Sequence, residues 1–302
     1  MNKKRITRRE MLSRSAGAAG ATIAGLTFTA GCQSLSKGTL NSNAGKKGFK
    51  IGVCDQTLGK SGTPAALEVA QRIGLDGVQI SMGTARNDMH LRKPEIQKAY
   101  RQASKKYDVQ IASLAIGELN KVPYKSDPRT DQWVCDSIDV CQEMGTQVVL
   151  LAFFDKGDLK NDKQGTDVVI KKLRQVAPKA EKAGVILGIE SWLSAEEHMY
   201  IIDKVGSSAV KVYYDVGNSQ KKGYDIFKEI RFLGKNICEF HAKDYKDLYG
   251  KGSIDFPKVR QAMDDIGYRG WIQMEGTKFP LGREESCRYD LQYLRRVFPP
   301  KV

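Results

Sequence analysis

Eight short apolar runs alternate along the chain with segments whose apolar residues recur every three or four positions. A short apolar run predicts a buried β-strand, and spacings of three and four predict an amphipathic α-helix. The predicted strands are Lys50 to Cys54, Gly77 to Ser81, Val109 to Ile116, Gln147 to Phe153, Val185 to Glu190, Val210 to Asp215, Ile237 to His241 and Trp271 to Glu275.

Several of the intervening segments carry signals for helix ends. Thr63 and Pro64 precede one helical segment and Gly74 follows it, while Asp127 and Asp255 precede two others. Eight β/α units in about 250 residues, without a Gly-rich nucleotide fingerprint, predict one closed (β/α)₈ TIM barrel over residues 50–302. A doubly wound sheet is the alternative, because the sequence does not show closure directly.

Four consecutive predicted strands end in side chains that can bind metal. They provide Glu190, Asp215, His241 and Glu275 at spacings of 25, 26 and 34 residues. Neighbouring strands of a barrel lie about 4.8 Å apart, so these groups can converge at one rim. Three carboxylates and one imidazole favour Mn²⁺ or Mg²⁺, with Zn²⁺, Fe²⁺ and Co²⁺ less favoured. The alternative is that the acids pair with lysines or water.

The first residues predict targeting rather than folded structure. A basic stretch to Arg14 precedes a small, apolar stretch, as in a signal peptide, which we place at residues 1–32. Thr7 to Leu12, with Arg8 and Arg9, resembles a twin-arginine export signal. Cys32 closes a lipoprotein-like cleavage box whose first residue departs from the usual leucine, so the prediction of a lipid anchor is left open. Residues 33–49 are polar and predict a flexible linker. We expect a periplasmic or membrane-anchored protein.

The strong positive charge belongs mainly to this leader. The formal net charge is +14, and residues 1–50 hold ten lysines or arginines against one acid. The remaining domain is only weakly basic, which argues against a nucleic-acid partner. Apart from Cys32, the cysteines show no spacing typical of a disulfide framework or a zinc site.

Four motifs resemble one family. Gly188-Ile189-Glu190, Tyr214 to Asn218, Phe240 to Asp244 and Gln273 to Gly276 are similar to motifs of the xylose-isomerase-like barrels, which include sugar epimerases, isomerases, dehydratases and related endonucleases. The resemblance extends from Ile51 to about Phe298. It implies a divalent metal held by the four strand-end residues, with Glu190 and Glu275 also moving protons.

The chain departs from the pattern of the family's ketose 3-epimerases at several positions. Gln79, on the second strand, stands where family members often carry glutamate, so a charge near the metal ligands is missing. Asn218 stands where the ketose 3-epimerases place a histidine. Their arginine beyond the metal histidine has no clear counterpart here. Substrate oxygens must therefore be held differently. The endonuclease branch is disfavoured, because it needs a histidine-rich metal cluster and this chain has three histidines.

These features predict a metal-dependent sugar isomerase or epimerase that transfers protons through an enediolate stabilised by the metal. Asn218, Lys243 and Trp192 are the predicted substrate contacts, although a solvated lysine and a packing tryptophan are equally simple interpretations. Export and the lack of a Gly-rich phosphate loop favour an unphosphorylated sugar or keto-sugar. A lyase or dehydratase using the same site and a non-catalytic carbohydrate-binding lipoprotein are the alternatives. A homo-oligomer is left open.

Overall fold

The computed structural model describes residues 48–300. The predicted signal peptide, Cys32 and nearly all of the predicted linker lie outside these residues. The strands are β1 (Lys50–Cys54), β2 (Gly77–Ser81), β3 (Gln110–Ile116), β4 (Val148–Phe153), β5 (Ile186–Ser191), β6 (Val210–Asp215), β7 (Ile237–Ala242) and β8 (Trp271–Met274). The α-helices are α1 (Ala65–Ile73), α2 (Pro94–Tyr107), α3 (Arg129–Glu143), α4 (Lys163–Ala183), α5 (Ala195–Val205), α6 (Val216–Lys221), α7 (Ile226–Leu233), α8 (Phe256–Asp265) and α9 (Arg283–Val297).

The eight strands form a closed barrel in which each strand pairs in parallel with its neighbours in chain order. Strand β1 also pairs with β8, with Gly52 opposite Gln273. This closure confirms the predicted TIM barrel and excludes the doubly wound sheet. The strand boundaries agree with the predicted ones to within one residue.

The helices begin and end where local chemistry satisfies their free backbone groups. Asp162, Ser194 and Asp255 each accept a hydrogen bond from a first-turn N–H, at α4, α5 and α8. Gly74 ends α1 with φ of 94°, a left-handed conformation that glycine adopts without strain. The helices pack their apolar faces on the outside of the barrel, where the main core lies. No helix within residues 48–300 is long and apolar enough to cross a lipid bilayer.

The inside of the barrel is apolar on one side and polar on the other. Val148, Leu150 and Ala152 of β4 pack together with Tyr213 of β6. The polar side comprises buried side chains from five strands: Gln79, Ser113, Glu239, Gln273 and the hydroxyl of Tyr213. These groups therefore lie within the barrel that carries the strand-end cluster.

Candidate metal centre and substrate cavity

The four predicted ligands lie together at the carboxyl ends of β5 to β8. Glu190, Asp215 and His241 belong to β5, β6 and β7, and Glu275 follows β8 directly. Each offers one ligand atom, and these atoms all lie within 4.8 Å of one another. The parallel barrel thus brings together side chains that are up to 85 positions apart in the chain.

His241 lies at the centre of this cluster. Its Nδ1 is 2.9 Å from Oε1 of Glu190, 3.3 Å from Oε2 of Glu275 and 3.8 Å from Oδ2 of Asp215. The two glutamates are therefore in contact with the ring nitrogen, and the aspartate is slightly farther away. All four side chains are buried or nearly so.

The donor atoms of this cluster fit a divalent cation. Oδ1 of Asp215 accepts a hydrogen bond from the backbone N–H of Asn218 at 2.8 Å, whereas Oδ2 is buried and has no hydrogen-bond partner within residues 48–300. A buried carboxylate oxygen without a partner is unfavourable unless something else satisfies it. Carboxylate oxygens and one imidazole nitrogen suit the harder divalent ions.

Lys243 adds a positive charge to the cluster. Its ammonium group lies 2.9 Å from Oε2 of Glu275 and 3.6 Å from Oδ2 of Asp215. Oε2 of Glu275 has no hydrogen-bond partner in the described chain. Its contact with Lys243 is therefore an ion pair without hydrogen-bond geometry. Glycine at position 217 allows the backbone of Lys243 to pack closely against it, since a Cβ on residue 217 would lie 2.6 Å from the backbone oxygen of Lys243.

The protonation of the cluster reflects these neighbours. Burial raises the pKa of Asp215 to about 8, with Glu275 and Glu190 adding to the rise and Lys243 opposing it. Burial also opposes the charged form of Glu275, but Lys243 and His241 hold its pKa well below the ordinary value. Asp215 and Glu275 lie close together among the same charged groups, yet their pKa values are shifted in opposite directions.

The cations show the converse effect. Burial disfavours the charged form of Lys243, yet Asp215 and Glu275 raise its pKa above the ordinary value. Burial likewise opposes protonation of His241, whereas the surrounding groups, including Cys54 and Glu190, raise its pKa well above the ordinary value. The cluster therefore keeps positive charge near its carboxylates.

Asn218 connects the cluster to a residue that the sequence did not suggest. Its Nδ2 donates to Oε1 of Glu190 at 3.4 Å, and its Oδ1 accepts from the hydroxyl of Tyr245 at 2.5 Å. Gln56, in the loop after β1, donates to Oε1 of Glu275 at 3.3 Å. Neither Tyr245 nor Gln56 stands at the end of an apolar run, so the hydrophobic pattern does not mark them as site residues.

The cluster opens into a cavity of about 550 Å³ at the mouth of the barrel. Trp192 and Phe154 form one wall, with ring centroids 5.3 Å apart in an edge-to-face arrangement. Such a wall can pack against the apolar face of a sugar ring. Asn218 and Lys243 also line the cavity, so the three predicted substrate contacts face the same space.

A buried histidine holds the loop that carries Trp192. Nδ1 of His198 lies 3.0 Å from the backbone oxygen of Ser194, and Nε2 lies 2.9 Å from Oγ of Ser191. Because a carbonyl oxygen only accepts, Nδ1 carries the proton and Nε2 accepts from the serine hydroxyl. That hydroxyl oxygen accepts in turn from the N–H of Leu193 at 3.1 Å. Burial lowers the pKa of His198 to about 4, so the ring is neutral near pH 7.

Comparison with known proteins gives a family match over residues 67–297, to the xylose isomerase-like TIM barrel. D-psicose 3-epimerase of Enterocloster bolteae is 31% identical over 127 residues, which are 39% of this chain and 42% of that protein. The 2-epi-5-epi-valiolone 7-phosphate 2-epimerase of an Actinoplanes species is 25% identical over 177 residues, or 58% of this chain and 65% of that protein. The chain thus spans less than two thirds of the length of both relatives.

A solved structure supports the fold over a longer range. D-allulose 3-epimerase from a Methylomonas species superposes with a TM-score of 0.69 over 83% of this chain and 99% of that one. At 15% sequence identity, this likeness concerns the fold alone. The family match covers more than three quarters of the chain and includes all four strand ends of the cluster. The protein belongs to the xylose isomerase-like TIM barrel family.

Proposed function

We propose that the protein is a divalent-metal-dependent sugar isomerase or epimerase, with Glu190, Asp215, His241 and Glu275 as the metal ligands. The observation that carries this proposal is the convergence of the four ligand atoms within 4.8 Å, together with the unpartnered Oδ2 of Asp215. The relatives named as epimerases support the reaction class. Mn²⁺ is the favoured ion, with Mg²⁺, Zn²⁺, Fe²⁺ and Co²⁺ as alternatives.

The proposed chemistry depends on two carboxylates that lie close to one point. A proton on a carbon next to a carbonyl is too weakly acidic to leave at neutral pH without help from a nearby base and from positive charge. When bound, a divalent cation would neutralise negative charge that develops on substrate oxygens. Oε1 of Glu190 and Oε2 of Glu275 lie 2.9 and 3.3 Å from Nδ1 of His241, so both carboxylates are beside the same point. One would remove the substrate proton and the other would return one.

The other cavity residues that contribute to the proposed function are Lys243, Trp192 and Asn218. The ammonium group of Lys243 can stabilise a substrate oxygen that gains negative charge, because it is held beside Glu275. Trp192 provides a face for a sugar ring, and Asn218 orients Glu190 through its side-chain amide. These groups bind and orient the substrate, while the glutamates move the proton.

The charges that line the cavity favour an uncharged substrate. The three carboxylates of the cluster are balanced by Lys243 and a divalent ion when His241 is neutral. The remaining charged residues of the lining are Asp55, Glu118, Asp155 and Lys121. Within residues 48–300, this lining contains no arginine and has an excess of acids, which would repel a phosphate group. We therefore propose an unphosphorylated sugar or keto-sugar as the substrate.

Deuterated solvent provides the test. The metal-loaded protein is incubated with a panel of uncharged ketoses and keto-sugars, and hydrogen exchange at carbon is followed by NMR. We expect exchange without loss of water, and its absence from every substrate in the panel would contradict the proposal. Loss of water or of a glycosyl group would identify a lyase or dehydratase instead. Tight sugar binding without metal or exchange would identify a carbohydrate-binding protein.

Two glutamine variants test the assignment of the bases. Glu190→Gln and Glu275→Gln each keep an oxygen ligand but remove a carboxylate base. At saturating metal, we expect turnover to fall by ~10⁴ or more, the upper end of what removal of a general base costs. The variant that keeps the abstracting base should still exchange the substrate proton. Glu181→Gln, at an exposed position near the end of α4, is the matched control. Near-normal turnover in both site variants would exclude this pair.

A second proposal concerns location. We propose export by the twin-arginine route to the periplasm, with Cys32 as the site of a lipid anchor if one is attached. Support comes from the sequence of residues 7–32 alone, which lie outside the described structure. An uncharged sugar as the substrate agrees with a location outside the cytoplasm, where phosphorylated sugars are scarce.

A further inference from the structure

The inner edge of the His241 ring faces a buried amide. Nδ1 points at the carboxylate cluster, and Nε2 points the opposite way, 3.2 Å from Oε1 of Gln79. Sγ of Cys54 lies 3.4 Å from the same nitrogen. Gln79 is 3% exposed, so its polar atoms have protein partners rather than bulk water.

The orientation of this amide is set by hydroxyl groups deeper in the barrel. Nε2 of Gln79 donates to the hydroxyl of Tyr213 at 2.8 Å and to Oγ of Ser113 at 3.2 Å. The thiol of Cys54 donates to Oε1 of Gln79 at 3.3 Å. Because both amide hydrogens of Gln79 bond to the hydroxyl groups of Tyr213 and Ser113, its carbonyl oxygen is the atom that faces His241.

A carbonyl oxygen only accepts hydrogen bonds, so Nε2 of His241 must carry the hydrogen. We infer that Gln79 is a positioning residue that keeps the hydrogen of His241 on Nε2, so that Nδ1 is the nitrogen that binds the metal. This inference rests on the proposed metal site. Partners on the far side of a ligating histidine commonly fix its tautomer and ring orientation in this way.

An amide at this position differs from a carboxylate in charge. A glutamate would also accept from Nε2, but it would add a fourth negative charge beside three buried carboxylates. Gln79 supplies the same hydrogen bond without that charge. The expected effect of Gln79 is therefore on metal affinity and ring orientation rather than on the charge of the cluster.

The test uses Zn²⁺ as a probe, because it is diamagnetic and binds both oxygen and imidazole ligands. Zn²⁺ affinity is measured by calorimetry for the wild-type chain, Gln79→Met and Gln79→Glu. Methionine has a similar size but no strong acceptor, so Gln79→Met should bind Zn²⁺ about 10- to 100-fold more weakly. Gln79→Glu keeps the shape of glutamine and restores an acceptor, so it should recover most of the affinity that Gln79→Met loses.

Nitrogen NMR of the ring provides a readout independent of affinity. In the Zn²⁺-loaded wild-type protein, ¹⁵N spectra should show the hydrogen on Nε2 of His241 and the metal on Nδ1. In Gln79→Met, the Nε2 hydrogen should exchange faster with water. The opposite assignment of the two nitrogens in the wild-type protein would overturn the inference.

Ser113→Ala provides a milder variant in case Gln79→Met fails to fold. It removes one of the two hydroxyls that orient the amide and should weaken Zn²⁺ binding by a smaller factor in the same direction. Wild-type affinity in Gln79→Met, or in Ser113→Ala if only that variant folds, would overturn the role of Gln79 and leave the metal site standing. Failure of the wild-type protein to bind Zn²⁺ would overturn the metal site itself, and the inference with it.

Discussion

Nζ of Lys243 lies 2.9 Å from Oε2 of Glu275, inside the carboxylate cluster rather than in solvent. A cation at this position has two opposite effects on the site. It holds buried carboxylates together when no metal is bound, and it repels an incoming divalent ion. The ammonium group and the metal ion would therefore compete for the same carboxylates. This competition should be measurable as a change in metal affinity when the lysine is replaced.

Lys243→Met should bind divalent ions more tightly than the wild-type protein. Removal of a positive charge that lies 2.9 and 3.6 Å from two ligand oxygens should increase affinity at least about tenfold, because buried charges interact strongly at short range. The metal-free variant should also unfold at a lower temperature, since the carboxylates lose their counterion. Calorimetric titration with Mn²⁺ measures the first effect. The control is Lys211→Met, because the ammonium group of Lys211 contacts the backbone oxygen of Lys235 outside the cluster. Weaker binding of Mn²⁺ in Lys243→Met would show instead that Lys243 assists metal binding.

Asp215→Ala and His241→Ala should both lose the bound ion. A ligand present at 100 times its dissociation constant stabilises the folded state by about 2.7 kcal/mol, which for a domain of this size corresponds to roughly 5 to 10 °C in melting temperature. Addition of Mn²⁺ should raise the melting temperature of the wild-type protein by this amount and leave both variants unchanged. His90→Ala, at a partly exposed histidine outside the cluster, should respond like the wild-type protein. An equal shift in all four proteins would show that the ion binds elsewhere.

Much of this site could be predicted from the sequence because of where the apolar runs end. In a parallel barrel, the carboxyl end of each strand reaches one rim, so Glu190 and Glu275 could be placed together without knowledge of the loops. The contacts of Tyr245 with Asn218 and of Gln56 with Glu275 depend on loop paths that have no periodic signal. The family resemblance marked Gln79 as a position near the metal ligands, but its pairing with His241 depends on the register of strands that are not adjacent.

His198 should make the metal-free protein less stable in mild acid. Its pKa is about 4 in the folded state because of burial, and about 6.5 in an unfolded chain. The unfolded state therefore binds more protons between these values, and the stability that the neutral ring contributes is complete above pH 6.5 and is lost as the pH falls toward 4. The loss can reach about 3 kcal/mol at pH 4.

Urea unfolding with a chelator present, at pH 7.5 and 5.0, measures this effect. His198→Gln should be less stable than the wild-type protein at pH 7.5, but its stability should fall less between the two pH values. His90→Gln controls for the loss of an imidazole elsewhere. An identical pH dependence in His198→Gln and the wild-type protein would show that this ring is not the group that titrates.

Arg8→Lys combined with Arg9→Lys should abolish export. Both changes keep the positive charge and remove only the arginine pair, so a general secretion signal would tolerate them. Cell fractionation should find the folded domain retained in the cytoplasm. Arg5→Lys combined with Arg14→Lys, outside the pair, should be exported normally. Unchanged export of the first double variant would indicate the general secretion route.

The position of the cluster in the chain affects when a metal can be acquired. All four proposed ligands come from β5 to β8, and Glu275 follows the strand that closes the barrel against β1. The site is thus incomplete until almost the whole chain has been synthesised and folded. On the proposed twin-arginine route, which carries folded proteins, the barrel would meet its metal ion in the cytoplasm. The ions available there, rather than those outside the cell, would then decide which metal the exported protein carries.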